Sequence, residues 1–234
     1  MEFDIVPELL EKIKADYEKN MAAVNTEEVL NKLFNSGNYE DAYDYAKKMA
    51  KALSDSYIKN ITDDVLPNGR MYYNIANRIF PETIRNAYLN MAVVTTNIQE
   101  NINKKAGIGI KAQTPSYNAD RARGMVDKIA EAESFDDVKF MIKPPVIENI
   151  TQSVVDDTIK TNAEFHYKSG LRARVERKLG GKCCDWCQRL VGKYSYPDVP
   201  EDVYRRHDNC RCTVTYYPSK TGKGQDVWSK KIVK

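Results

Sequence analysis

The residues best suited to chemistry stand together toward the C-terminal end. They are Cys184-Asp-Trp-Cys187, then 19 residues, then His207-Asp-Asn-Cys210-Arg-Cys212. All five cysteines fall between positions 183 and 212. A two-residue gap lets a tight turn aim two sulfurs at one point, and the second group adds three donors within six residues. Zinc takes four sulfur or nitrogen donors in a tetrahedron. The spacing therefore predicts a zinc site built by Cys184, Cys187, His207 and one of Cys210 or Cys212, with the other beside it. On a strand, Cys210 and Cys212 would share a face. Four protein donors leave no position open for water, which makes the expected ion structural rather than catalytic. A module of about 40 residues with little apolar content needs such a staple to fold.

Other chemistries fit these residues less well. A disulfide framework belongs to secreted chains and would spread its cysteines more widely. A thioredoxin-like reading of Cys184 and Cys187 lacks the surrounding strand–motif–helix context. A zinc-stapled nuclease would need a second catalytic group. With His207 on the metal, the other histidine is His166, in the predicted helix around Glu164-Phe-His-Tyr, where a packed role is expected. Asp156-Asp157 and Asp63-Asp64 read as solvated helix positions, and Gly107-Ile-Gly109 lacks the third glycine of a phosphate loop. No catalytic residue is expected. Cys183 is the odd thiol.

The elements that must position these donors are mostly helical. Asn25-Thr26-Glu27-Glu28 carries a capping side chain followed by first-turn acids. Ala42, Tyr45, Ala46, Met49, Leu53, Tyr57 and Ile61 keep helical spacing, as do Ile84, Ala87, Tyr88, Met91, Val94, Ile98 and Ile102. Pro81 reads as a first-turn proline of that second helix. Pro67-Asn68-Gly69 signals a turn, and Gly107 to Pro115 an extended stretch. Asn118 and Ser134 each cap a further helix, and Pro144-Pro145 closes the second of these. Ile147, Ile150, Val154, Val155, Ile159 and Ala163 mark one more long helix, continuing toward Arg174. After Gly180-Gly181 the helical period vanishes: Leu190 to Tyr194 suggests a hairpin, and Arg211 to Tyr217 alternates like a strand. The expected fold is mainly α, an antiparallel helical body over residues 1–178. A zinc-stapled β-hairpin module follows at 179–218, then a basic tail at 219–234.

Charge sharpens this division. The whole chain is +3, but Leu171 to Lys234 holds 15 Lys/Arg against 7 Asp/Glu. A basic end suits phosphates or an acidic partner surface. Arg205, Arg206, Arg211, Lys230 and Lys231 are the candidate nucleic-acid contacts. No apolar run is long enough to span a membrane. The first residues carry acids where a signal peptide is basic, and synthesis in the cytosol is expected.

The stretch His207-Asp-Asn-Cys-Arg-Cys-Thr-Val-Thr-Tyr216, downstream of the Cys184/Cys187 knuckle, resembles the Mu F-like minor head proteins of tailed bacteriophages. The resemblance to forms from phages and prophages of Gram-positive bacteria extends further. It takes in Leu66-Pro-Asn-Gly-Arg-Met-Tyr-Tyr-Asn-Ile-Ala-Asn77, Asn103-Lys-Lys-Ala-Gly-Ile-Gly109, Val155 to Lys168, and Gln225-Asp-Val-Trp-Ser-Lys-Lys231. One departure is Asp208, where the family often has proline. The resemblance implies a structural virion protein: few copies, association with the portal and with capsid or scaffold proteins of the procapsid, a role in head morphogenesis and, in some phages, DNA delivery. It implies a virion location, with the host cytoplasm during assembly, and no small-molecule substrate. Non-specific contact with packaged DNA is the expectation for the basic end.

Overall fold

A computed structural model describes residues 4–181, 184–207 and 209–218. Among the described residues seven α-helices precede a three-stranded sheet: α1 (Val6–Val24), α2 (Glu27–Asn35), α3 (Tyr39–Asn60), α4 (Tyr73–Lys105), α5 (Ala119–Glu131), α6 (Phe135–Val138) and α7 (Pro144–Lys168). The fold is mainly helical, as the sequence patterning predicts. Thr26, Asn38, Asn118 and Ser134 each accept a first-turn N–H through the side chain, which starts α2, α3, α5 and α6 where those caps stand. Asn68 takes φ +54° in the turn at Pro67–Gly69, a conformation asparagine tolerates better than most residues.

The core lies where α3, α4 and α7 meet. Ala42, Ala46, Ala50 and Ser54 keep one face of α3 small and buried, and Ile147, Val155 and Ile159 of α7 are fully buried. Many polar groups inside this core are paired. Thr158 donates to Thr95 Oγ1 at 2.8 Å, Thr151 to the Ala46 carbonyl at 2.9 Å, and Tyr39 to Gln99 Oε1 at 2.6 Å. Such pairing is what keeps burial of hydroxyl and amide groups from being costly. The extended segment after α4 is held by side chains rather than by a sheet. Asn162 accepts from Gln113 N–H and donates to Gln113 C=O, both at 2.8 Å, and Asn103 donates to the Ile110 carbonyl.

Two helix boundaries differ from the sequence reading. Pro81 lies inside α4, because the apolar stripe continues upstream through Ile75, Ala76, Ile79 and Phe80 and extends the helix back to Tyr73. α7 stops at Lys168 instead of continuing to Arg174. Gly170 adopts φ +84°, its N–H bonds the Tyr167 carbonyl, and Leu171 N–H bonds the His166 carbonyl. That paired arrangement closes a helix C-terminus around a left-handed glycine.

The chain then forms β1 (Ala173–Lys178), a short helix α8 (Asp185–Arg189), β2 (Gly192–Ser195) and β3 (Thr213–Pro218). The sheet order is β2-β1-β3, antiparallel throughout, with Val175 opposite Tyr194 on one side and Tyr216 on the other. Its middle strand therefore comes from residues before the Gly180-Gly181 change in character, and Leu190 to Tyr194 does not fold on itself. Ala173, Val175, Val214 and Tyr216 join the helical core. Among the described residues no helix is long and apolar enough to cross a membrane.

Candidate metal centre

The β1–β2 connection and the β2–β3 connection approach each other at one end of the sheet. Gly180 makes the approach possible: a Cβ there would sit 1.9 Å from the Arg211 carbonyl oxygen. Cys184 is the residue before α8 and Cys187 lies within it. The second donor group sits on a turn closed by Cys210 N–H to the His207 carbonyl at 3.1 Å, with Asn209 at φ +59°.

This geometry brings the five predicted donors into two overlapping groups that could hold a metal ion: Cys184, Cys187 and His207, and Cys187, Cys210 and Cys212. Cys187 belongs to both. Its sulfur lies 3.0 Å from His207 Nε2 and 3.8 Å from Cys210 Sγ, while Cys184 Sγ lies 3.4 Å from His207 Nε2. Cys187, Cys210 and Cys212 are buried and Cys184 is exposed, and the four form no disulfide among themselves. Cys210 and Cys212 lie just before β3 rather than on it. The Cys210 thiol is drawn down to about 4, chiefly by a hydrogen bond from the Cys212 side chain, with the Cys212 N–H, Arg206 and Arg177 adding to it. Burial pushes the Cys187 thiol up. Cys183 and Asp208 lie outside the described residues.

Two arginines frame the cluster, and neither acts as the charge pattern suggested. Arg206, a candidate DNA contact, is withdrawn: its side chain is 2% exposed. It pairs with Asp156 of α7, donates to Gln152 Oε1 at 2.7 Å, and reaches the carbonyls of Cys210 and Cys212 at 3.3 and 3.0 Å. Asp156 is thus a buried partner and not a solvated position. Burial pushes its carboxyl up, and Arg206 and the Tyr43 hydroxyl pull it back. Tyr43 joins three elements, donating to Asp156 at 2.5 Å and accepting from Val214 N–H at 3.0 Å. Asn149 of α7 also holds the donor turn, through the His207 carbonyl at 2.9 Å. The donor loops are bolted to the helical body on their backbone side.

Arg177 of β1 was not among the sequence candidates. Its residue is 1% exposed and its Nη2 lies 3.7 Å from Cys187 Sγ and 3.5 Å from Cys210 Sγ. Nη1 donates to the carbonyls of Val203 and Arg205, and the guanidinium sits 5.6 Å above the Trp186 ring. Trp186 in turn meets His207 edge-on at 5.7 Å. The alternation Ala173, Val175, Arg177 was the available signal, since residues two apart on a strand share a face.

Of the other candidate contacts, Arg205 is exposed and paired with Asp202 at 3.0 Å, Arg211 is exposed, and Lys230 and Lys231 lie outside the described residues. His166 is fully buried, with Nδ1 2.5 Å from the Tyr216 hydroxyl, and burial holds its pKa down. Asp157 is half-buried, its carboxyl pushed up to about 6 by burial, while Asp63 and Asp64 are exposed. No protein-family model, curated protein or solved structure matches the chain.

Proposed function

We propose that this chain is a non-enzymatic minor head protein of a tailed bacteriophage, associated with the portal during procapsid assembly, with one structural zinc ion stapling its C-terminal module. One observation carries the reading. The Cys184/Cys187 knuckle and the His207 to Cys212 stretch, on which the resemblance rests, converge on two overlapping donor groups that share Cys187 and are fixed to the helical body. The donor set is rich in sulfur, which suits zinc better than hard, oxygen-seeking cations. Zinc–sulfur bonds of about 2.3 Å in a tetrahedron separate two sulfurs by about 3.8 Å, and Cys187 and Cys210 stand 3.8 Å apart. Cys184, Cys187, His207 and one of Cys210 or Cys212 would hold the ion. When bound, it supplies a cross-link between the two connections and no open site for chemistry.

The exposed arginines Arg205 and Arg211, with the tail lysines Lys230 and Lys231, are the residues for non-specific contact with packaged DNA. Such binding weakens steeply as salt rises. The nuclease alternative is disfavoured by His166, whose ring is buried against Tyr216.

Co-expression of the full chain with the portal protein of the same phage tests the proposal. The expected result is co-elution with portal rings and recovery in procapsids. Absence from both, together with magnesium-dependent plasmid cleavage that His166→Ala abolishes, would overturn it in favour of the nuclease.

A further inference from the structure

We infer that the metal centre carries a net negative charge, three thiolates and one histidine around a divalent ion, and that Arg177 is its built-in counter-charge. The inference rests on the zinc reading above and deepens it. A guanidinium stays charged at any ordinary pH. Buried without an anion, such a charge is strongly unfavourable. Arg177 is 1% exposed, and no carboxylate stands within ion-pair distance of it among the described residues. Asp156, the buried carboxylate of this region, is engaged by Arg206. The Val203 and Arg205 carbonyls that Arg177 Nη1 meets are dipoles, not charges. The Trp186 ring, 5.6 Å from the guanidinium, offers a quadrupole and not an anion; the groups there that can carry negative charge are sulfurs, with Cys187 and Cys210 facing Nη2 at 3.7 and 3.5 Å.

Counting charge then selects the kinds of ligand. Two thiolates and neutral nitrogen donors around a divalent ion would be neutral and leave Arg177 unmatched. Four thiolates would carry two negative charges against its single positive one. Three thiolates with one histidine give one negative charge, which Arg177 cancels. Cys184, Cys187, His207 and one of Cys210 or Cys212 meet that count, and Arg177 Nη2 faces Cys187, common to both sets, as well as Cys210. N–H to sulfur hydrogen bonds also weaken a thiolate as an electron donor, and slow its protonation and loss from the metal. Arg177 therefore acts through the ligands, as a positioning and charge-matching residue.

The test uses the full chain with cobalt in place of zinc for spectroscopy, and zinc release to a chelator for kinetics. The unaltered protein should show thiolate-to-cobalt charge-transfer absorption of the strength expected for three thiolates. In Arg177→Met that band should move to longer wavelength, and zinc release should quicken about 10- to 100-fold. Arg177→Lys, which keeps the charge, should recover most of the loss. Cys184→His makes the centre neutral and strands Arg177, so adding Arg177→Met to it should improve zinc retention. That reversal of sign is beyond a purely packing role, and it decides the matter even where Arg177→Met alone fails to fold. An unmoved band and unchanged release in Arg177→Met, or equal harm in both backgrounds, would overturn the inference and leave the zinc reading standing. An unaltered chain that binds no metal would sink both.

Discussion

On α3 and α7 the buried surface includes Ala42, Ala46, Ala50, Ile147, Val155 and Ile159, with a few hydroxyls returned to nearby carbonyls. Beside β1 it consists of Cys187, Cys210 and Cys212, with Trp186 packed against them and the Arg177 guanidinium facing the sulfurs. The first interface is what hydrophobic burial builds unaided, and many side chains share the work. The second concentrates its stability in a few polar atoms that are favourable only when all are matched. Loss of one residue should therefore be graded in the body and near all-or-none in the module.

The largest expected effect comes from Cys187→Ser, since Cys187 belongs to both donor groups. Structural zinc in small modules contributes about 10–16 kcal/mol of apparent binding free energy. Metal binding should vanish and limited proteolysis should open the chain between β1 and β3, while most helical circular dichroism persists. Simultaneous collapse of both regions would break the comparison.

Next in size is the bolt between the two regions. Arg206→Met leaves Asp156 buried beside Tyr43 and should cost about 3–5 kcal/mol in urea unfolding. Adding Asp156→Asn should give back part of that loss, because the uncompensated charge is then gone. Strict additivity would contradict the pairing. In the body, Ile98→Ala should cost about 2–5 kcal/mol and leave metal content unchanged.

The smallest effect is a pH dependence in the body. Burial raises the Asp157 carboxyl from 3.8 to about 6. The folded chain then holds a proton that the unfolded chain has released between those values. Its contribution to stability should fall as pH rises through that window, by about 1–3 kcal/mol. Asp157→Asn should flatten this part of the stability profile. An unaltered slope would assign the dependence elsewhere.

The helical body was legible because its signals are local. Thr26, Asn118 and Ser134 cap where the sequence placed them, and the stripes of α3 and α4 follow from spacing. The five donors were legible from the clustering of rare residue types. What escaped depends on contacts between distant segments. Arg177 and Arg206 look like surface charge in sequence, and only the return of β1 and α7 to the donor loops buries them. Gly170 was a readable stop, and missing it hid β1 and with it the strand alternation that points Arg177 inward. Pro81 misled because a proline more often opens a helix than sits within one.

Metal analysis of the purified full chain, folded and never exposed to chelator, tests the central claim most directly. The account predicts about one zinc per chain, lost in Cys187→Ser. A chain that is folded, β-sheet included, and holds no metal would contradict it.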